Sequence, residues 1–406
     1  MKPIAVLAFS GGLDTSYCAV WLREQGYDVH TVYVRTDNAA TEIAAVEERA
    51  RDLNIAQHVT LDARRELFDD YLRYLIFANA LRGDVYPLSV SSERIVQAKR
   101  CALYALEVGA QALAHGSTGA GNDQFRFDVA FQVLAPNLKI LAPIREHALS
   151  REQETEYLAR YGIAVAPKTT AYSINRGLWG ATIGGGQTHA SDGVLPEDAY
   201  VLTDAPDNAP AAPNDLRITF ERGVPTALDG ETLNPPQLIA ALDERAGRYG
   251  VGRGVHVGDT ILGIKGRVAF EAPSAAVLIA AHRELEKLVL SRHQLTWKHT
   301  LGNLYGSFLH EARYFDPLMR DLEAFLESSQ RRVTGEAYVR LSAGRLAVRG
   351  AVSPHSLLDA RIALYGERGS LWTGAEAAAF AKLYGLQDAL LARAEDRRNP
   401  DDARLA

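Results

Sequence analysis

The sequence predicts an α/β protein with three parts: a parallel-sheet domain over residues 1–165, an α+β domain over 166–370, and a C-terminal helical segment over 371–406. Three observations carry that prediction. Short apolar runs alternate with longer amphipathic segments through the N-terminal part, which is the pattern of βαβ units. The first run stops at Ser-Gly-Gly and a helix follows at once. After Pro167 the texture changes to hairpins and helices in no fixed alternation.

Taken in order, the strand-like runs are 4–8, 29–34, 58–61, 110–114 and 139–140. The segments between them, 17–25, 41–53, 66–80, 93–107 and 122–134, repeat apolar residues at helical spacing. Residues 183–215 are rich in Gly, Pro, Asp and Ala and read as a long excursion. Strands are expected at 216–221 and 226–228, and helices at 236–248 and 273–291. Two alternating runs, 333–341 and 345–352, joined by Ser342-Ala343-Gly344, read as a β-hairpin. Residues 375–392 are Ala/Leu-rich and read as one helix suited to docking on its own domain or on a neighbouring subunit.

Bulk properties narrow the function. The chain has 406 residues, 47% apolar and 23% charged, with a net charge of −6. That balance argues against nucleic acid as the main partner, since phosphate backbones call for a basic surface. The two cysteines, Cys18 and Cys101, form no Cys-x-x-Cys pair, which fits a reducing compartment. No basic-apolar-small leader and no long apolar span is visible, so the expectation is a cytoplasmic protein away from membranes.

The stretch "SGGLDTS", 10–16, carries the first chemistry. Paired glycines let a ligand approach the main chain, and a helix start offers free N–H groups and a positive dipole end. Ser10, Thr15 and Ser16 add hydroxyls. The result is an anion cradle that matches neither the Walker A nor the dinucleotide pattern. With no lysine in it, charge neutralisation falls to Mg²⁺ and to groups elsewhere, and Asp14 suits a metal or a loop-holding role. A second stretch, "AHGSTGAGNDQFRFD" at 114–128, again places glycines at a strand end. Asn122 donates and accepts, Asp123 pairs with an ammonium, and Arg126 offers a fork for a carboxylate. In parallel sheets both stretches converge on the carboxyl edge.

"SGGLDTS" resembles the pyrophosphate loop (PP loop) of the ATP pyrophosphatase superfamily, and the 114–128 stretch resembles the signature of its argininosuccinate synthase family. "VYPLSVSSERI" (85–95) and "AYSINRGLWGATIGGG" (171–186) extend the match, as do "YGVGRG", "GIKGR" and "VTGEAYVRL". The resemblance implies ligation of citrulline to aspartate, with ATP cleaved to AMP and pyrophosphate, and a homotetramer as the assembly. It further implies ATP on Ala8, Phe9, Ser10, Gly11, Gly12, Leu13, Asp14, Thr15 and Ser16, with adenine near Val34 and Gly116. Aspartate would sit on Thr118, Asn122 and Asp123, and citrulline on Tyr86, Ser91, Asn122, Arg126, Ser173 and Thr182. Asp14, Ser16 and Asp123 are the expected catalytic residues. Asp123 and a phosphate oxygen are the candidates for taking up the amine proton. Cys18 is expected to be buried structure.

The pattern also departs from the family. A common glutamate and a common tyrosine that touch citrulline are replaced here by Gly258 and Phe270; Asp259 is the first expected substitute for the carboxylate and Glu271 the second. Ala120 stands where a lysine is usual. Two rivals remain at this point: a ligase of the same superfamily that adenylates another ureido or carboxylate substrate, and an inactive nucleotide-binding module. "HEARY" (310–314) lacks the second histidine of a zinc helix.

Overall fold

Strands β1 (Ile4–Ala8), β2 (Asp28–Arg35), β3 (Gln57–Asp62), β4 (Ala112–Ala114) and β5 (Lys139–Leu141) form one sheet in the order β3-β2-β1-β4-β5, all parallel. In the computed structural model the described residues are 2–39, 41–164, 172–359, 361 and 371–396. The chain runs outward from β1 in both directions, so a topological switch point lies between β1 and β4. Ligands of open α/β sheets bind at that crevice, beyond the carboxyl ends of the strands. "SGGLDTS" follows β1 and "HGSTG" follows β4, so the two stretches flank it.

Burial explains why these runs are strands. Ala5, Val6 and Leu7 in the central strand are wholly inaccessible, as a strand covered on both faces requires. One core includes Cys18, Val20 and Leu22 of α1 (Leu13–Glu24), Val46 and Ala50 of α2 (Thr41–Asp52), and Leu158 of α8 (Arg151–Ala159). The other takes in α3 (Arg64–Leu67), α4 (Arg73–Ala78), α5 (Ser91–Glu107) and α6 (Asp123–Leu134). The helix expected at 66–80 is present with a π-type turn, Phe68–Leu72, between α3 and α4. A short α7 (Pro143–His147) follows β5.

Two antiparallel sheets follow. The first, in the order β11-β12-β7-β6, joins β6 (Tyr172–Gly177) and β7 (Gly180–Gly185) to β11 (Arg253–Asp259) and β12 (Lys265–Glu271). The second, β10-β9-β8-β13-β14, contains β8 (Asn214–Glu221), β9 (Val224–Leu228), β10 (Glu231–Thr232) and the expected hairpin of β13 (Gly335–Ser342) and β14 (Arg345–Val352). The helices of this half are α9 (Pro235–Gly247), α10 (Pro273–Val289), α11 (Arg292–His310) and α12 (Pro317–Gln330).

The 253–271 hairpin, α11 and α12 are not among the elements expected from the sequence. Ser291 caps α11 through a capping box with Gln294, and Asp316 caps α12 ahead of Pro317. Those start signals are legible in retrospect. The excursion expected at 183–215 begins with the end of β7 and continues through three single-turn 3-10 segments.

Residues 1–355 form one compact unit and 356–406 a second. In the second, the single helix expected at 375–392 is two, α13 (Gly374–Tyr384) and α14 (Leu386–Asp396), broken at Gly385. Among the described residues no helix is long and apolar enough to cross a membrane.

Candidate active site

A cleft of about 740 Å³ opens at the switch point and continues to the antiparallel sheet of β6, β7, β11 and β12. Its nucleotide-like end is made mostly of main chain. After β1, Phe9 donates its N–H to the Val32 carbonyl at 2.9 Å, which fixes the loop's departure. Gly11 sits at φ +75°, and a side chain there would also press on Val46 at 3.3 Å. That conformation is strained for any residue with a Cβ. The turn sets Gly12 as the cap of α1, whose first intrahelical bond is Ser16 N–H to the Gly12 carbonyl, 2.9 Å. The N–H groups of the first turn are thus left for a ligand. Ser10, Asp14 and Thr15 line the cleft, with Ala8, Phe9 and Val34 beside them and Gly116 across from them.

Two expected members of this end have other duties. The Ser16 hydroxyl donates to the Gly12 carbonyl at 2.8 Å, and Leu13 is buried in the core. Their contribution to a ligand is therefore the backbone of the turn. Asp14 lies 4.0 Å from Arg151 and against Glu154. Burial, then the Asp14 charge, pushes the Glu154 carboxyl up to about 7, and one of its oxygens is buried without a hydrogen-bond partner. Burial also raises the Cys18 thiol, so it is a packed and unreactive group, as expected.

The other end is built from side chains that converge from distant parts of the chain. Leu88 and Val90 both take positive φ, 65° and 62°, just before α5. For a β-branched residue that is a strained conformation, held by its surroundings. Here the anchor is buried Trp179, which donates to the Pro87 carbonyl and accepts from the Ser89 hydroxyl. The strained segment delivers Ser91 and Arg94 to the cleft at the start of α5.

Opposite, the start of α6 presents Asn122, Asp123 and Arg126. Asp123 is gripped by two guanidiniums, at 2.9 Å from Arg94 Nε and 2.7 Å from Arg126 Nη1. Burial works to raise its carboxyl, but Arg94 and Arg126 outweigh that and hold it below the usual carboxylate range. The carboxylate suits an ammonium contact and is a weak proton acceptor. Arg94 also holds Asn175 on β6 at 3.0 Å, and Asn122 Oδ1 accepts from the Ile261 N–H at 2.9 Å. These bonds tie the 253–271 hairpin and β6 to the parallel-sheet part.

His310, at the end of α11, closes the group. Its carbonyl accepts from Arg126 Nη2 at 2.9 Å, and its ring sits 3.1 Å from the Ser91 hydroxyl. Burial first, then Arg126 and Arg82, drives the imidazole down to about 2, so it is neutral. A neutral ring that donates from Nδ1 to the Ser91 hydroxyl and accepts at Nε2 from the Asn122 amide satisfies those two neighbours, while Arg126, which can only donate, is served by the His310 carbonyl.

The remaining expected residues are placed as follows. Ser173 and Thr182 line the cleft from β6 and β7, and Thr118 lines it from the loop after β4. Tyr86 also lines it, but its hydroxyl is donated to the Ser89 carbonyl at 2.6 Å, so it offers its ring. Phe270 packs on that ring, with centroids 5.2 Å apart. Glu271 is a correction. Its carboxylate is fully buried and accepts from the Val201 and Leu202 N–H groups and the Thr203 hydroxyl, so it is a structural cap that cannot serve the cleft. Asp259 lines the cleft but is half exposed and paired with Lys265.

Neither His256 nor His310 is among the expected site residues. His310 stands in "HEARY", an incomplete zinc-helix pattern, and His256 stands in no motif.

The family model described as "Arginosuccinate synthase N-terminal HUP domain" matches residues 4–164, and "Arginosuccinate synthase C-terminal domain" matches 172–391. The chain belongs to the argininosuccinate synthase family. A protein named argininosuccinate synthase from Methanocaldococcus jannaschii is 41% identical over 98% of this chain and 100% of its own length. Same-named proteins from Rubrobacter xylanophilus (41% identity, 94% of this chain and 93% of theirs) and Xanthomonas campestris (40%, 96% and 98%) are similar throughout. Membership makes the chain a ligase of the ATP-dependent PP-loop type.

Proposed function

We propose that the chain joins citrulline to aspartate at the expense of ATP, in two steps at one cleft. The ureido oxygen attacks the α-phosphorus of ATP, forming an O–P bond as pyrophosphate leaves. The aspartate amine then attacks the ureido carbon, a proton is lost from nitrogen, and the C–O bond breaks to release AMP. Adenylation is needed because a ureido carbon is too stabilised to accept an amine directly. The observation that carries the reading is the continuity of the cleft, from the bare helix start behind Gly11 to the Arg94–Asp123–Arg126 cluster.

In this reading residues 1–165 hold ATP and 166–370 complete the amino-acid sites. The first turn of α1, with Ser10 and Thr15, holds the pyrophosphate. Asp123 orients the aspartate ammonium, with Asn122 and Thr118 at its polar ends. Ser91, Arg126, Ser173 and Thr182 surround citrulline, over the Tyr86 ring. Catalysis is then mainly positioning and charge stabilisation. Asp14, a carboxylate lining the cleft beside the loop, fits a hard cation carried by phosphate oxygens, and Mg²⁺ held there would offset the leaving group's charge. A phosphate oxygen takes the amine proton more readily than the doubly gripped Asp123. Exposed apolar residues on the tail helices, Phe380, Leu383 and Leu390, support the tetramer that the family implies.

The test is pyrophosphate release from Mg-ATP with citrulline and aspartate supplied together and each omitted in turn. Release that requires citrulline, with AMP and argininosuccinate formed only when aspartate is added, is expected. Release with a different ureido or carboxylate acceptor alone would move the assignment to that substrate.

A further inference from the structure

On β11 the alternate residues Gly254, His256 and Gly258 share one face of the strand. The His256 ring lies over Tyr86, with centroids 5.6 Å apart and planes inclined by 22°. A Cβ built on Gly258 would fall 2.4 Å from His256 Nε2. The imidazole therefore occupies the space that any side chain at position 258 would need. His256 and Gly258 both line the cleft, and Nε2 is buried with no hydrogen-bond partner. A buried polar atom left unpaired in a folded protein is costly and asks for an explanation.

The surroundings decide what Nε2 can do. Burial, then the nearby Arg82, holds the imidazole below its usual range, so it is uncharged at neutral pH. Arg82, Arg94 and Arg126 bring only donors to this part of the cleft. An amino acid bound here has its carboxylate served by such donors and its ammonium in need of an acceptor. Asp123, already paired with two guanidiniums, is taken up by the aspartate ammonium in this reading, Glu271 is turned to the 201–203 backbone, and Asp259 is held by Lys265.

We propose that His256 Nε2 is the acceptor for the α-ammonium of the ureido amino acid, and that Gly258 is glycine so that the imidazole can stand there. The assignment rests on the citrulline–aspartate reading. It names a ligand contact to one polar group of the substrate. It also explains how a chain without a side chain at 258 keeps a citrulline site: the contact has moved two residues along the same strand face. In the tautomer required, Nδ1 carries the proton.

The experiment uses the full-length protein and compares wild type with His256→Ile, His256→Asn and Gly258→Ala. Pyrophosphate release gives KM values for citrulline, ATP and aspartate. Inhibition by two citrulline analogues, one lacking the α-ammonium and one lacking the carboxylate, gives their inhibition constants. His256→Ile should raise the citrulline KM roughly 10- to 100-fold, the range for a hydrogen bond to a charged group. The KM values for ATP and aspartate should stay within about twofold.

Gly258→Ala keeps the imidazole but denies it its place, so it should reproduce the same loss. His256→Asn, which retains an acceptor, should recover part of it. The analogue lacking the ammonium should bind wild type and His256→Ile alike, while the analogue lacking only the carboxylate should lose affinity in the variant. An active wild type whose variants lose citrulline and the ammonium-free analogue equally would reduce His256 to a structural residue and overturn the proposal. Variants with an unchanged citrulline KM would overturn it too. A wild type that releases no pyrophosphate with citrulline would instead sink the ligase reading, and the ammonium assignment with it.

Discussion

The two ends of the cleft are built on different principles. The nucleotide end is backbone: one glycine at positive φ, a helix start with free N–H groups, and two small hydroxyl side chains within seven consecutive residues. The amino-acid end is side chains: Arg94, Asp123, Arg126, His256 and His310 arrive from α5, α6, β11 and α11, across more than half of the chain. A backbone cradle recognises phosphate whatever is attached to it. A side-chain cluster recognises one arrangement of groups, which in the proposed function are carboxylate, ammonium and ureido. The first can be shared by a superfamily, and the second has to be rebuilt whenever the substrate or a neighbouring residue changes.

That contrast can be broken by mutation, starting where the effect is largest. Arg126→Met removes one of the two cations on Asp123 and both donors to the His310 carbonyl. Truncating one partner of a buried charge pair costs about 2–5 kcal/mol, so kcat/KM for citrulline should fall by about 10³-fold. Steady-state kinetics checks this, with the ATP KM as the control that should move little.

At the opposite end, Asp14→Ala should abolish measurable turnover, a loss of at least about 10²-fold, and leave the melting temperature near that of wild type. Near-normal kcat would remove Asp14 from the mechanism.

A smaller effect is expected from Gly11→Ala. Forcing a Cβ into φ +75° against Val46 costs on the order of 1–3 kcal/mol. The turn should shift, raising the ATP KM by about tenfold while the citrulline KM holds. Equal changes in both would mean that the two ends are less separate than described.

The smallest effect concerns pH. The Glu154 carboxyl is raised to about 7 in the folded protein, against 4.5 for its ordinary value. The folded state therefore binds a proton that the unfolded state has released, and the stability associated with it is present below pH 4.5 and lost as pH rises through 7. Glu154→Gln should raise the melting temperature at pH 8 relative to wild type and leave it unchanged near pH 4. Parallel melting curves at both values would show that Glu154 carries no such linkage.

How far each end could be read from the sequence follows from the same contrast. The nucleotide end was legible because its chemistry is local: Ser-Gly-Gly after an apolar run and before a helix states the turn, the cap and the free N–H groups together. The sheet was legible for the same reason, its strands being short apolar runs with helical spacing between them. At the amino-acid end the α6 residues were visible as a motif, whereas His256 and His310 were not. Each is a lone histidine whose meaning depends on partners about 170 to 220 residues away, Tyr86 for the one and Ser91 and Arg126 for the other. Glu271 failed in the opposite sense. It looked available one residue after Phe270, but strand alternation turns it to the other face of β12, where the 201–203 backbone holds it. The hairpin at 253–271 was hidden because glycines at 254, 258 and 266 blur the apolar alternation.

The measurement that most directly tests the account is the fate of the ureido oxygen. Citrulline labelled with ¹⁸O in the ureido carbonyl is incubated with Mg-ATP, aspartate and the protein, and the AMP is examined by mass spectrometry. If the cleft joins that oxygen to the α-phosphorus before the amine arrives, one ¹⁸O per turnover appears in AMP. Unlabelled AMP formed alongside argininosuccinate would contradict the adenylation step and the shared cleft built to perform it.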